Sequence, residues 1–154
     1  MRQISAYGVS VAVPTAWECR IMRRIAAAGE QTHAVVHLAN FALPEQRDDF
    51  GGNVTATMGP TDVFAVLFEY GPASANRALF RAQGRPVLTF DHFGARRLQR
   101  PRPNQLGCQQ FFTENGRAFC LYVVAGSRAA LTTATVDVNA SVHAMAIAHA
   151  EPAS

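Results

Sequence analysis

The chain has no lysine: each of its 14 basic side chains is an arginine. Cysteine is scarce, three in 154 residues, and charged residues make up only 16%. Three cysteines with no Cys-x-x-Cys spacing exclude a disulfide scaffold and fit a reducing compartment. No apolar run reaches the roughly 18–20 residues of a membrane-spanning helix; the longest, residues 118–126, carries Tyr122. The first 17 residues hold too short an apolar stretch for a secretory signal, and neither end carries a lipidation pattern. The expectation is a cytoplasmic protein with no membrane partner. With 49% hydrophobic residues and a net charge of only +3, a disordered chain is excluded.

Catalytic signatures are missing too. There is no P-loop, no G-x-G-x-x-G, no G-x-S-x-G and no H-E-x-x-H. Asp48, Asp49 and Glu45 form a local acidic loop that would hold calcium only weakly, because the Asp-x-Asp-x-Asp-Gly loop is absent. Asp49-Phe50-Gly51 lacks the other kinase motifs and is a chance tripeptide. Cys108 has no neighbours that would depress its pKa. No catalytic residue, no metal and no cofactor is assigned.

What is present suits one domain with a full core, expected over residues 1–149, followed by a disordered tail at 150–154. Val9, Val11 and Val13 alternate with small residues and stop at Pro14, which predicts a strand. Residues 18–25 alternate again, with Cys19 and Ile21 on one face. Residues 26–30 interrupt, and residues 32–38 are β-branched and apolar. Together these three strands predict an antiparallel meander. Residues 40–52 carry proline, paired aspartate and paired glycine and predict a loop, with a helical turn at 53–58. Residues 62–70 are apolar on both faces and rich in β-branched and aromatic side chains, so a buried strand is predicted. A short helix at 73–82 would point Ala75, Leu79 and Phe80 inward. Short strands are expected at 86–90 and 95–98 around an Asp91-His92 turn, then an exposed extended linker at 100–104, where two prolines bar a central strand.

Asn115-Gly116 between two apolar runs is a strong hairpin signal, since both residues tolerate positive φ. A two-residue turn sets Glu114 opposite Arg117, Phe111 opposite Cys120 and Cys108 opposite Val123. Cys108 and Cys120 then project from opposite sides of the sheet, which argues against a disulfide and favours buried, inert thiols. The unbroken apolar run at 119–124 calls for packing on both faces. Ser127 is an N-cap, and Leu131, Ala134, Val138, Val142 and Met145 recur at spacings of three and four, predicting an amphipathic helix over 128–146. The fold class is α+β: a twisted, mainly antiparallel sheet of six to eight strands with helices packed on it, including a long C-terminal helix.

This order of elements, with a Val13-Pro14-x-x-Trp17 corner after the first strand, resembles the PsbP-like superfamily, including its small bacterial members. The resemblance implies an antiparallel sheet between helical layers and a binding or accessory role. It carries over no catalytic residues, because the superfamily shares none.

Arginine is the clearest local signal. Residues 61–130 hold nine Arg against four acids, a net +5, whereas residues 1–60 are balanced. The densest stretch, Arg96, Arg97, Arg100 and Arg102, is the candidate partner-binding surface. Guanidinium forks suit an acidic protein surface or a phosphorylated ligand; the bland alternative is a charged edge that blocks strand pairing. Nucleic acid is disfavoured by the modest total charge and the lack of a binding motif. The absence of lysine beside 27 alanines reads as the mark of a GC-rich coding genome, so only the clustering is informative. His33 and His37 share a strand face, too far apart for one zinc ion, and Asp91-His92 joins them only if the fold brings it near. Phe64, Phe68, Tyr70, Phe80, Phe90, Phe93, Phe111, Phe112, Phe119 and Tyr122 are mostly core, some of them able to line a pocket. The leading expectation is a non-enzymatic binding or accessory domain acting through a protein surface, with a homodimer as one form of that contact. The alternative is a binder of small molecules with a Phe-lined pocket and an Arg at its mouth; an enzyme of unknown type comes third.

Overall fold

The computed structural model of the protein describes residues 1–23 and 33–150. In chain order the strands are β1 (Arg2–Ala6), β2 (Val9–Val13), β3 (Glu18–Arg23), β4 (Ala34–Ala39), β5 (Val63–Tyr70), β6 (Leu106–Glu114), β7 (Arg117–Ala125) and β8 (Ala146–Ile147). The helices are α1 (Gly52–Thr55) and α2 (Leu131–Ala144). The fold is α+β, with two antiparallel sheets: five strands in the order β3-β4-β5-β7-β6 and three in the order β1-β2-β8.

β5 and β7 sit at the middle of the larger sheet, where no strand edge meets water, and their sequences are correspondingly apolar on both faces. One face carries Val36, Leu38, Ala65, Leu67, Leu121 and Val123. It packs against the Leu131, Ala134, Val138 and Val142 stripe of α2 and against Val9, Val11 and Val13 of β2. The other face carries Val35, Phe64, Val66, Phe68, Tyr122 and Val124, covered by Phe41, Leu43, Phe50 and Leu98 from irregular segments and by Val54 of α1. The expected packing on both faces is present, although the second cover is made of loops and short turns. Burying each large apolar side chain contributes about 1.5–3 kcal/mol.

The β6–β7 register is the one the Asn-Gly turn dictates: Glu114 opposite Arg117, Phe111 opposite Cys120, Cys108 opposite Val123. Asn115 (φ 53°) and Gly116 (φ 76°) both take the left-handed conformation that such a turn requires. Cys108 and Cys120 belong to cores on opposite faces and, like Cys19, are free and buried.

Several expectations are corrected. The larger sheet has five strands, not six to eight, because β2 leaves the meander to form the second sheet with β1 and β8. β1 was not expected. Its Arg2, Gln3 and Ser5 are exposed and hide the strand pattern, and a Tyr7-Gly8 turn with positive φ at both residues closes the hairpin. Residues 86–90 and 95–98 are not strands but lead into single turns at Phe90–His92 and Ala95–Arg97. The Asn139 side chain takes the place of a neighbouring strand, accepting from the Leu88 N–H at 2.8 Å and donating to its carbonyl at 2.9 Å. Residues 73–82 make two tight turns rather than one helix, so only Phe80 is buried and Leu79 faces solvent. Ser127 caps a turn at Arg128–Ala130 that leads into α2, and the helix stops at Ala144 so that β8 can pair with β2. The Ala150 N–H donates to the Asn115 carbonyl, which ties down the first residue of the expected tail. The predicted break at 26–30, residues 24 and 25 of the second strand, Thr32, and tail residues 151–154 lie outside the described residues. No described helix is long and apolar enough to cross a membrane.

Candidate functional site

The arginine-rich half of the chain divides by role. Arg117 on β7 forms a fork-to-fork pair with Glu69 on β5 at 2.7 and 2.8 Å. It also donates to the carbonyls of Tyr7, Gly8 and Ala148, so all five guanidinium N–H groups find acceptors. Arg85 pairs with Glu114 at 3.0 and 2.9 Å and donates to the carbonyls of Val142, His143 and Met145 at the end of α2. Glu114 and Arg117 thus stand opposite each other in the hairpin, yet each bonds a different partner. Both arginines hold the fold together and are closed to ligands.

The predicted partner surface is likewise split. Arg97 donates to the carbonyls of Asp91 and His92. Arg102 is half-buried and donates to Thr55 Oγ1 (3.2 Å) and the Gly52 carbonyl (2.9 Å), bracing α1. Arg96 is exposed and makes no hydrogen bond or ion pair among the described residues. Arg100 is exposed and lies across Gly52, where a Cβ would overlap its guanidinium. Of these four, Arg96 and Arg100 are the two that make no hydrogen bond or ion pair among the described residues.

The histidines do not meet. His33 is half-buried and lies beside Gly71. His92 Nδ1 accepts from the Thr89 N–H at 3.1 Å in a capping box, which gives Asp91-His92 a turn-closing role. His37 is fully buried and edge-on to Phe64. Arg47 Nε donates to its Nδ1 at 3.1 Å, which leaves the proton on Nε2, directed at the Asp49 carbonyl 2.7 Å away. Burial, helped by the Arg47 charge, lowers the imidazole pKa to about 4, so the ring is neutral. No group of three metal-ligating side chains exists among the described residues.

His37 therefore straps the 41–53 loop onto the sheet. Gly51 continues the strap with φ 69°, a conformation suited to glycine, and its missing side chain makes room for the Phe64 ring beneath it. Phe50 stacks on Phe68 (centroids 4.6 Å apart) and meets Tyr122 edge-on. Between this strap and the segment carrying Gln99 and Arg100 lies a cavity of about 310 Å³, lined by Asp48, Asp49, Phe50, Thr55, Arg100 and Tyr122 among others. Tyr122 is only 2% exposed; its hydroxyl accepts from the Gln99 N–H at 2.9 Å, and its own proton has no acceptor among the described residues. Burial raises its pKa, so the phenol is a donor. The Asp48 and Asp49 carboxylates are exposed and take part in no hydrogen bond or ion pair among the described residues.

Of this site, the sequence marks Arg100 as part of a patch, the aspartates as a weak acidic loop and Tyr122 as core. Nothing in the sequence brings them together. The available signal was Asp-Asp-Phe-Gly-Gly, a loop rich in acids and glycines with a single aromatic anchor. No family model matches the chain, and neither a curated protein nor a solved structure matches it.

Proposed function

We propose that the protein is a non-enzymatic binding domain that holds a small polar molecule in the cavity beneath the 47–55 loop. One observation carries this reading: Arg100, Asp48, Asp49, Phe50 and the buried Tyr122 all line a single cavity of about 310 Å³. That volume is at the lower end of the roughly 300–1,000 Å³ range of ligand pockets. The state of the reactive groups favours binding over catalysis. Burial pushes the Cys19 and Cys108 thiols up to about 11 and Cys120 to about 12, and His37 is locked between two hydrogen bonds. A PsbP-like membership is part of the same proposal. It rests on the Val13-Pro14-x-x-Trp17 corner, where the Trp17 N–H donates to the Pro14 carbonyl and the indole is buried.

The test is a thermal-shift screen over charged and neutral metabolites, paired with a Gln99→Trp variant that fills the cavity. The Gln99 backbone N–H still holds Tyr122 in that variant. A ligand that binds only the folded state raises Tm. The expected result is a rise in the parent protein that disappears in Gln99→Trp. Silence across the panel, or an undiminished rise in the variant, overturns the reading.

A second reading, contact with a protein partner, is favoured by the exposed side chains of Val87, Phe90 and Val136. They flank the Leu88–Asn139 pairing, and the turn holding Phe90 packs on α2. Exposed apolar groups so placed mark contact surfaces. Light scattering on the parent and a Val136→Asp variant tests it: a dimer dissociated by the substitution supports a contact between copies, and an unchanged monomer counts against one.

A further inference from the structure

The cavity beneath the 47–55 loop has an unusual division of charge. Arg100, Asp48 and Asp49 all line it, on two different segments of the chain, yet no ion pair joins them within 4.0 Å. Exposed opposite charges so close together ordinarily meet, at little gain, when their side chains can reach. Here the segments that carry them are fixed elsewhere. The 47–55 loop is held by His37 and by Asn53, whose side chain accepts from the Asp48 N–H and donates to the Gln46 carbonyl. The 98–102 segment is held by Tyr122 and by the bonds of Arg102 to α1.

From this arrangement we infer that the cavity takes a zwitterion, specifically a free α-amino acid with an oxygen on its side chain. This rests on the reading of the cavity as a binding site and adds the chemical class of its ligand. The α-ammonium faces the Asp48 and Asp49 carboxylates, and the α-carboxylate receives the Arg100 fork in a charge-assisted, bidentate contact. The side chain runs along the Phe50 ring, and its oxygen accepts the Tyr122 proton. Each alternative class leaves a charge opposed. A simple anion meets two carboxylates, a metal ion meets the Arg100 guanidinium, and an apolar molecule strips water from three charges without repaying them.

Calorimetric titration of the full chain with the common amino acids, glutamine among them, tests the inference. N-acetyl and methyl-ester forms of the tightest ligand remove one charge each. Both blocked forms are expected to bind at least about tenfold more weakly, as are the Asp48→Asn/Asp49→Asn and Arg100→Gln variants, a factor worth about 1.4 kcal/mol. Tyr122→Phe is expected to weaken ligands with a side-chain oxygen more than it weakens alanine, since it also removes the hold on the Gln99 N–H. The unliganded Tm of each variant controls for folding. Equal binding of the N-acetyl form, or of the methyl ester, overturns the zwitterion assignment. So does a neutral sugar or a plain anion that binds and is excluded by Gln99→Trp, although the cavity then survives as a binding site. If no class of ligand binds, both readings fall.

Discussion

Arg117 and Glu69 form a bidentate pair, each side chain about one-tenth exposed, at the point where the two sheets meet. The pair alone joins neighbouring strands of the larger sheet. The remaining guanidinium N–H groups reach the Tyr7-Gly8 turn and Ala148, at the ends of the strands of the smaller sheet. Removing one partner of a buried pair costs about 3–5 kcal/mol, because the other charge is left unpaired. Glu69→Ala or Arg117→Ala should each lower the unfolding free energy by that amount in urea. Replacing a buried pair with apolar residues is often neutral, but here it also strips donors from three carbonyls. Glu69→Leu/Arg117→Met should therefore stay about 2 kcal/mol below the parent. A double variant as stable as the parent would show that the links to the smaller sheet contribute nothing.

His37 makes stability depend on pH in a defined window. Its folded pKa, about 4, lies below the ordinary 6.5, so between these values the unfolded chain binds a proton that the folded chain refuses. The stabilisation it provides is complete above about pH 6.5 and lost as pH falls toward 4. The full difference is worth about 3 kcal/mol. Urea midpoints from pH 7 to 4 should fall steeply for the parent protein. They should fall less for His37→Asn, which starts lower but cannot titrate. Parallel curves for the two proteins would remove His37 as the cause.

Legibility in the sequence followed the locality of the interactions. The β6–β7 register was readable because Asn115-Gly116 fixes it within two residues, and the α2 stripe because its spacing is periodic. β1 was hidden because a solvent-facing edge strand needs no apolar alternation. Residues 86–90 misled because their β-like composition is satisfied by one side chain, Asn139, some 51 positions away. The same limit applies to the arginines. Adjacent in sequence, Arg97, Arg100 and Arg102 point to three different tasks, and which of them stays free depends on α1 and the Asp91-His92 turn.

Arg85 closes α2, donating to its last carbonyls while also holding Glu114. A cation at a helix C-terminus contributes about 0.3–1 kcal/mol when exposed and up to about 2 when partly buried. Arg85→Met should destabilise the protein by about 2–3 kcal/mol once the unpaired Glu114 is included. Arg85→Lys should recover only part, since an ammonium cannot span both the carboxylate and the carbonyls. Amide exchange should quicken in the last turn of α2 and at β8. A Lys variant equal to the parent would reduce the role of Arg85 to charge alone.

The three thiols are shielded by the sheet, and their chemistry should show it. Cys108 and Cys120 lie on opposite faces of paired strands, and burial raises all three pKa values to between about 11 and 12. A thiolate is the reactive form, so at pH 8 an aromatic disulfide reagent should label the folded protein only as fast as it opens. In denaturant all three should react at once. Mass spectrometry without reductant should find no Cys108–Cys120 link. Rapid labelling of one thiol in the folded state would mean that its face of the sheet opens far more often than this packing allows. The same labelling repeated with a saturating cavity ligand should slow Cys120 more than Cys19. Cys120 sits on the face that carries Tyr122, whereas Cys19 belongs to the core beneath α2.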